Sequence, residues 1–558
     1  MFNLFEKTLT RFAAAALSGL LLVACFPKIH CPGLVWVACL PLLAALANEK
    51  RLRQAFLLGY VCGAFFFTGT CYWFTTVMEL YGHLAPALAV TVLILFVIID
   101  ATFFGGFGLL MGCAARRSWR WALALSPFLW VAMELARTYL LTGFPWNLLG
   151  YAVQASGVRQ IASVSSVYGL SFLAAATSAL LAWVWVSSVP RKPRPSAVLA
   201  LVVWVVLLLL AQARLAPPPA AVGKELAILV QPNVPLDDAE LEEWIPWRHP
   251  AQLQQLIQLS VASVEQFSAC YAARSNHPLT TSLAKQRNLR PENPLVTKEG
   301  CPEGGVAPSG PSAHPPLLIW AENPAPFFLT RDPIFRHAME NLARQTRTFV
   351  IANTIIPVDA QGDTITNSAF TLDPDGREVS RYDKIHLVPF GEYVPWWALP
   401  GLVHKITSEV GDIIPGSSYS VAGSPGGGVG IFICYEAIIP QLARKLVANG
   451  AGVLVNISND AWYGDSAAAY QHLEMARLRA IENHRYLLRA TNNGLTTLID
   501  PYGRVLEEIP RYRRLAMPAR FNFETRETFY TAHGDLFAWL CVAGAALMLA
   551  VASLGGRS

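Results

Sequence analysis

Three ionisable residues of this chain stand where strand-like runs stop. Glu322 follows Leu318-Ile319-Trp320-Ala321, Lys384 follows Arg381-Tyr382-Asp383, and Cys434 ends Gly430-Ile431-Phe432-Ile433 just before Tyr435-Glu436. Strand ends that face one way are where α/β sheets assemble sites. A thiol needs a base to become a strong nucleophile and a cation to stabilise developing negative charge. A glutamate, a lysine and a cysteine supply that set. A cysteine at a strand-to-helix turn also gains backbone N–H groups able to serve as an oxyanion hole. Singly, each residue is ordinary. A cysteine after an apolar strand is usually a buried structural residue, a lysine after an aspartate a solvated pair, and a loop glutamate a solvated carboxylate. Their order and surroundings give them weight. No clustered His/Cys spacing points to a metal, and thiol chemistry of this kind requires no cofactor.

The elements that must position these residues lie in 225–525. After Pro217-Pro218-Pro219 the pattern turns to short strands alternating with helices. Ala227-Ile228-Leu229-Val230-Gln231 reads as a buried strand, and a helix with apolar spacing follows over about 250–272. Further strands are expected at 317–320, 348–352, 368–372, 429–434 and 453–457, with helices near 332–346 and 436–448. Such alternation argues for α/β layers around a largely buried sheet. Residues 273–316 are rich in proline, glycine, serine and charge without periodicity, and read as a long exposed insert.

The rest of the chain has another solvent. Of 558 residues, 53% are hydrophobic and 15% charged, against a usual charged share of about 25%. The mean hydropathy is +0.37. This excludes a disordered chain, which needs low hydrophobicity and high charge. The formal charge of +5 is small for this length and gives no case for nucleic acid. Apolar runs fill 1–215 and return at 536–554. Eight candidate spans lie near 9–26, 33–48, 54–77, 84–114, 121–141, 159–188, 196–212 and 536–554, each judged against the roughly 20 apolar residues that cross a bilayer.

Basic residues alternate between the connections. Lys7 and Arg11, Lys50 with Arg51 and Arg53, Arg116 with Arg117 and Arg120, Arg191 with Lys192 and Arg194, and Arg557 mark one side. The opposite loops at 79–83 and 27–32 are poor in them. Basic loops stay cytoplasmic, so both termini are expected inside and 225–525 outside. Leu22-Val23-Ala24-Cys25 looks like a lipoprotein signal, but seven further spans favour a small-residue span that happens to hold a cysteine. Asp100, Glu134 and Arg137 fall in or near spans, where ionisable groups default to functional candidates. Glu134 and Arg137 also have the i, i+3 spacing of a local ion pair, and Asp100 is expected to make an interhelical hydrogen bond. Cys270 and Cys301 flank the insert and are candidates for a disulfide in an oxidising exterior, which leaves Cys434 as the free thiol of the outside segment.

Longer words carry a family resemblance. Ile319-Trp320-Ala321-Glu322-Asn323, Tyr382-Asp383-Lys384 and Ile433-Cys434-Tyr435-Glu436 resemble the nitrilase superfamily. Lys384 through Pro395 (Lys-Ile-His-Leu-Val-Pro-Phe-Gly-Glu-Tyr-Val-Pro), Asn456-Ile457-Ser458-Asn459-Asp460-Ala461-Trp462-Tyr463-Gly464-Asp465, Arg489-Ala490-Thr491-Asn492-Asn493-Gly494 and Thr142-Gly143-Phe144-Pro145-Trp146 look more specifically like bacterial apolipoprotein N-acyltransferases. The resemblance covers nearly the whole chain. It implies a four-layer αββα nitrilase-like domain set between polytopic transmembrane helices, and a Glu322–Lys384–Cys434 triad. It also implies acyl transfer from the sn-1 position of a phospholipid, commonly phosphatidylethanolamine, through a Cys434 thioester. The acceptor is the N-terminal amine of a diacylglyceryl-cysteine apolipoprotein. The family locates this work in the bacterial inner membrane with the catalytic domain on the periplasmic face. By the same resemblance Glu392 orients Lys384, and Tyr435 and Glu436 shape the pocket.

Val394-Pro395-Trp396-Trp397-Ala398-Leu399-Pro400 would be an exposed apolar arm in a soluble enzyme. Tryptophan favours membrane interfaces, so Trp396 and Trp397 are expected to dip toward the bilayer and gate lipid entry, with burial in the core as the rival reading. The sequence departs from the family at Gln231-Pro232-Asn233-Val234, where the expected tryptophan follows only at Trp244 or Trp247, and in the long 273–316 insert. A membrane-tethered amidase using water as acceptor would carry the same triad. A transporter with an outside binding domain is a second alternative, though intramembrane charge is sparse.

Overall fold

The computed structural model describes residues 8–80, 82–188, 194–234, 250–273, 312, 314–322, 327–359, 364–395 and 412–554, with backbone alone at 269–273 and 553–554. The expected Trp396–Trp397 arm, Trp244, Trp247, the pairing of Cys270 with Cys301 and nearly all of the 273–316 insert lie outside the described residues. Two compact units emerge: Met1–Pro218 with Tyr463–Glu482 and Glu527–Ser558, and Pro219–Trp462 with Asn483–Arg526. The cuts near 218 and 526 fall where the apolar runs stop and resume. That Tyr463–Glu482 joins the helical unit has no counterpart in composition.

Among the described residues of the helical unit, four helices are long and apolar enough to cross a membrane: Leu52–Cys71, Pro86–Arg117, Ala162–Ser187 and Pro195–Arg214. Shorter apolar helices are Thr8–Ala24, Pro32–Leu46 and Leu536–Ala552. The helix Trp119–Tyr139 contains Pro127 and carries Glu134 and Arg137. Several expected spans are broken. The run at 33–48 is a 3-10 turn, Pro32–Trp36, then a helix, Leu40–Leu46. Pro32 and Pro41 sit in first turns, where a missing N–H is tolerated. The run at 54–77 ends at Cys71 and restarts at Trp73. Ala162–Ser187 is interrupted at Ser166, whose φ is +56°.

The intramembrane ionisable groups do not pair as their spacing suggests. Glu134 accepts from Trp130 Nε1 at 3.0 Å and from the Leu149 N–H at 2.7 Å. Arg137 lies over the Phe67 ring, 5.1 Å from its centre. No Glu134–Arg137 ion pair and no interhelical hydrogen bond from Asp100 occurs among the described residues. Glu134 Oε2 and Arg137 Nη1 are both buried without a hydrogen-bond partner among the described residues.

The helix Ala468–Asn483 is tied to this unit by polar contacts. Gln471 accepts from Trp146 Nε1 at 2.7 Å. Glu474 binds Gln154 at 2.8 Å and Arg159 at 2.9 Å. Glu482 accepts from Ser166 Oγ at 2.6 Å and from the Val167 N–H at 3.2 Å, and so caps the helix that restarts after the break at Ser166.

The second unit is built on β1 (Glu225–Gln231), β2 (Leu317–Trp320), β3 (Phe349–Pro357), β4 (Thr364–Leu372), β5 (Glu378–Asp383), β6 (Asp412–Ile413), β7 (Val421–Ser424), β8 (Gly427–Ile433), β9 (Ala451–Ser458), β10 (Leu487–Thr491), β11 (Thr496–Ile499), β12 (Val505–Ile509) and β13 (Leu515–Phe521). Among the described residues one sheet runs β13-β1-β2-β3-β4-β5 with β6 beside β4, and the other runs β12-β11-β10-β9-β8-β7. Parallel pairs, β1 with β2, β2 with β3, β8 with β9 and β9 with β10, form the centre of each. Their near-continuous apolar runs are those of strands covered on both faces.

Helices Pro250–Ala273 and Pro333–Thr346 pack on the first sheet, Pro440–Ala448 packs on the second, and the sheets meet through β1 and β10 and through β4 and β8. Leu253, Leu256, Phe335, Met339 and Leu342 close over Ile228, Leu318, Trp320 and Phe370 in one buried core. Each such side chain contributes about 1.5–3 kcal/mol on burial. Asp332 starts the second of these helices by accepting from the Ile334 and Phe335 N–H groups at 2.8 and 3.3 Å, with Pro333 at the first position. The rigid layers bring the ends of β2, β5, β8 and β9 to one edge.

Candidate active site

Glu322 leaves the end of β2 and is buried. Its Oε1 accepts from Asn367 Nδ2 of β4 at 3.0 Å and its Oε2 from the Asn459 N–H just past β9 at 2.9 Å. It is also hydrogen-bonded to the Cys434 thiol. Lys384 follows β5, with a side chain 1% exposed. Its Nζ donates to Glu392 Oε1 at 2.8 Å and stands 3.9 Å from Glu322 Oε1. Glu392 Oε2 accepts the Val388 N–H at 2.8 Å, which folds the loop after Lys384 back on itself. Asn367 also reaches Glu392 at 3.4 Å, so one amide touches both carboxylates.

Cys434 sits at the first position of a 3-10 turn, Cys434–Ile438, directly after β8, with φ at +51°. A non-glycine residue there carries roughly 1–3 kcal/mol of strain, and such residues cluster at functional sites. The turn is held by Glu436, which is fully buried rather than lining an opening. Its Oε2 accepts the Ile433 N–H at 2.7 Å. Its Oε1 accepts Tyr382 Oη at 2.8 Å and the Ile385 and His386 N–H groups at 2.7 and 3.0 Å. One carboxylate therefore fixes the Cys434 turn and the Lys384 loop together. Tyr435 is buried beside it.

Electrostatics follow from burial. Burial raises the Glu322 carboxyl above its usual range; Lys384 opposes the rise and Glu392 adds to it. Burial also raises the Cys434 thiol, with Glu322 adding and Lys384 opposing. For Lys384, burial disfavours the ammonium, but Glu392 and Glu322 outweigh it and push its proton affinity up. Burial pushes Glu436 up to about 7 against its backbone donors. The cluster holds a fixed cation, a thiol that keeps its proton at neutral pH, and beside that thiol a carboxyl group with heightened proton affinity. Proton transfer from Cys434 to Glu322 leaves the net charge of the cluster unchanged, which suits a desolvated site.

The structure thus brings Glu322, Lys384, Glu392, Cys434, Tyr435 and Glu436 to one edge of the sheets. Sequence reasoning missed Asn353, Asn367, Asn459 and Asn492. Asn353 donates to Asn367 Oδ1 at 2.7 Å, which orients that amide. Asn492 donates to Asn459 Oδ1 at 3.1 Å and exchanges hydrogen bonds with Val234 at 2.7 and 2.8 Å. The words around Asn459 and Asn492 were visible as motifs without a job attached. Asn367 lies in an ordinary Thr-Ile-Thr-Asn-Ser strand and gives no signal.

Known proteins resemble this chain along nearly its whole length. The family described as apolipoprotein N-acyltransferase N-terminal domain matches residues 18–180, and carbon-nitrogen hydrolase matches residues 314–519. A protein named apolipoprotein N-acyltransferase from Geobacter metallireducens is 35% identical over 552 residues, covering 97% of this chain and 95% of that one. Proteins of the same name from Bradyrhizobium diazoefficiens and Pseudomonas putida are 31% and 28% identical, covering 76% and 91% of this chain and 72% and 90% of theirs.

Proposed function

The chain belongs to the apolipoprotein N-acyltransferase family, and from that premise we propose how its buried cluster moves an acyl chain from a phospholipid to a lipoprotein. It is a membrane acyltransferase with a nitrilase-type catalytic part, acting on lipid and lipoprotein substrates. The observation that carries the mechanism is the buried contact of Glu322 with the Cys434 thiol, with Lys384 Nζ 3.9 Å from the same carboxylate.

Glu322 takes the thiol proton as Cys434 attacks the sn-1 ester carbonyl. Lys384 and the backbone N–H groups at the start of the Cys434 turn hold the oxyanion. Collapse breaks the ester C–O bond, Glu322 returns the proton to the leaving alkoxide, and lysophospholipid departs from a Cys434 thioester. The α-amine of a diacylglyceryl-cysteine apolipoprotein then attacks. Glu322 takes the amine proton, the C–S bond breaks, and the thiolate recovers that proton. Splitting ester-to-amide exchange at a thioester replaces one slow step by two easier ones. Glu392 keeps Lys384 charged and in place, and Tyr435 and Glu436 support the nucleophile turn. Phosphatidylethanolamine is the donor we favour on the strength of the family resemblance.

In this reading the four layers αββα are the helices named above on either side of two sheets. The 1–215 and 536–554 segments supply eight passes, some through broken helices. The alternation of basic ends supports cytoplasmic termini and a periplasmic catalytic part in the bacterial inner membrane. The composition of the Trp396–Trp397 arm, rich in residues that favour membrane interfaces, supports a part in lipid entry. Labelled phosphatidylethanolamine with a diacylglyceryl-cysteine peptide tests the assignment. N-acylated peptide that disappears in Cys434→Ala is the expected result; free fatty acid without acylated peptide would point to a hydrolase.

A further inference from the structure

A second buried polar line, from the end of β9, lies beside Cys434. Strands β8 and β9 are parallel and in register at Ile433 and Ile457, so the next residues, Cys434 and Ser458, emerge side by side. Ser458 is fully buried, and its hydroxyl donates to Asp460 Oδ1 at 2.9 Å. Arg489 Nη2 binds both oxygens of Asp460 at 2.9 and 2.8 Å, and neither side chain is exposed. Arg489 also donates to Asn456 Oδ1. A β-carbon on Gly494 would come within 2.2 Å of Asp460 Oδ2, so glycine leaves the carboxylate its room. A buried ion pair persists only where its geometry offsets desolvation, and the acyl-transfer steps above give this one no task.

We propose that Ser458 is a positioning residue for the Cys434 thiolate: its hydroxyl proton, held by Asp460 at rest, turns to Sγ once the thiol proton has passed to Glu322. No proton is exchanged by Ser458. The S–H bond breaks, an O–H bond forms on Glu322, and Ser458 changes only its acceptor. Asp460 keeps both Arg489 contacts and tolerates the loss. Arg489 also screens the carboxylate, whose charge would otherwise repel the thiolate. Ser458, beside Cys434 by strand register, works against the burial that raises the thiol. A hydroxyl bonds an anionic sulfur more strongly than a neutral thiol, so its help is concentrated in the attacking state. When the C–S bond of the thioester forms, the proton returns to Asp460. The consecutive residues Ser458, Asn459 and Asp460 thus divide the work, with Ser458 on the sulfur, the Asn459 N–H on Glu322 and Asp460 on the switch.

The proposal rests on Cys434 being the nucleophile, and its test reads the thiol without any acyl donor. Full-length protein is treated with iodoacetamide over a pH series, and alkylation of the Cys434 peptide is followed by mass spectrometry in wild type, Ser458→Ala and Ser458→Thr. Thioester formation from phospholipid is measured alongside in single turnover. Ser458→Ala is expected to slow alkylation and thioester formation by about tenfold or more, with the alkylation midpoint moved up by roughly one pH unit. Ser458→Thr, which keeps the hydroxyl, restores most of both. If Ser458→Ala does not fold, Ser458→Cys, close in size and a weaker donor, is read in its place and falls between. An unmoved midpoint in Ser458→Ala or Ser458→Cys, or a Ser458→Thr protein as slow as Ser458→Ala, overturns the proposal. Loss of thioester formation with normal alkylation in wild type would instead count against the acyl-transfer assignment.

Discussion

Replacing Glu392 by glutamine keeps the shape of the lysine's partner and removes one charge. Glu392 Oε1 lies 2.8 Å from Lys384 Nζ, and Asn367 Nδ2 spans from Glu322 at 3.0 Å to Glu392 at 3.4 Å. Two carboxylates joined through one amide nitrogen stand about 6 Å apart, where like charges at an effective dielectric near 20 repel by about 3 kcal/mol. The sign follows from the cluster. Burial first, and then Glu392, raise Glu322, while Lys384 opposes them. Without the Glu392 charge Glu322 ionises at lower pH, and Lys384, relieved of its nearer partner, turns to Glu322 and lowers it further. The base must be ionised to take the thiol proton. The acid limb of thioester formation therefore moves to lower pH, and the plateau falls about ten- to hundredfold because the base is weaker. Single-turnover thioester formation from phospholipid, followed by intact mass between pH 4 and 9, reads both effects. An acid limb that stays in place or moves up would refute the electrostatic account of the cluster.

Three other outcomes follow from the same structure. Glu436 is raised from 4.5 to about 7, so its contribution to stability is full below about pH 4.5 and is lost as pH rises toward 7, a change of about 3 kcal/mol. Denaturant unfolding should show that loss in wild type. Glu436→Gln should lack it and should be less stable at pH 5, because its amide cannot accept the Ile433 N–H. Glu482→Ala removes the carboxylate partner of the fully buried Arg479, which keeps Tyr151, and uncaps Val167, at a cost of roughly 3–5 kcal/mol. A clear drop in melting temperature of the detergent-solubilised protein checks it, and an unchanged value contradicts the anchoring described for Ala468–Asn483. Asn367→Leu removes the amide shared by Glu322 and Glu392 and should slow thioester formation about tenfold, while Asn367→Asp should be worse, since it adds a third negative charge. Rates equal to wild type would show the bridge to be idle.

The site was legible where its chemistry coincides with strand grammar. Glu322 and Cys434 each end an apolar run and Lys384 ends a polar strand, so residue type at strand ends, together with the surrounding words, pointed to them before any geometry. The apolar helices were legible because long runs of apolar residues are a long-range signal. What escaped reading is set by single residues in three dimensions. The break at Ser166 is sustained by Glu482, more than three hundred positions away, and nothing local marks it. Glu134 has the right spacing for Arg137 yet takes the Leu149 N–H and Trp130 instead. Hydropathy counts residues and does not see where a proline restarts a helix, so 33–48 read as one span. Asn367 and Ser458 gain their roles from register between neighbouring strands, which no single-strand pattern carries.

The central claim is that Cys434 receives the acyl chain before any lipoprotein arrives. Intact-protein mass spectrometry after incubation with phosphatidylethanolamine alone, with no acceptor peptide, tests it directly. One added acyl mass, removed by hydroxylamine, mapped to Cys434 and absent in Cys434→Ala, is the predicted result. An unmodified Cys434 under conditions where added peptide is still N-acylated, or N-acylation at full rate by Cys434→Ala, would contradict it.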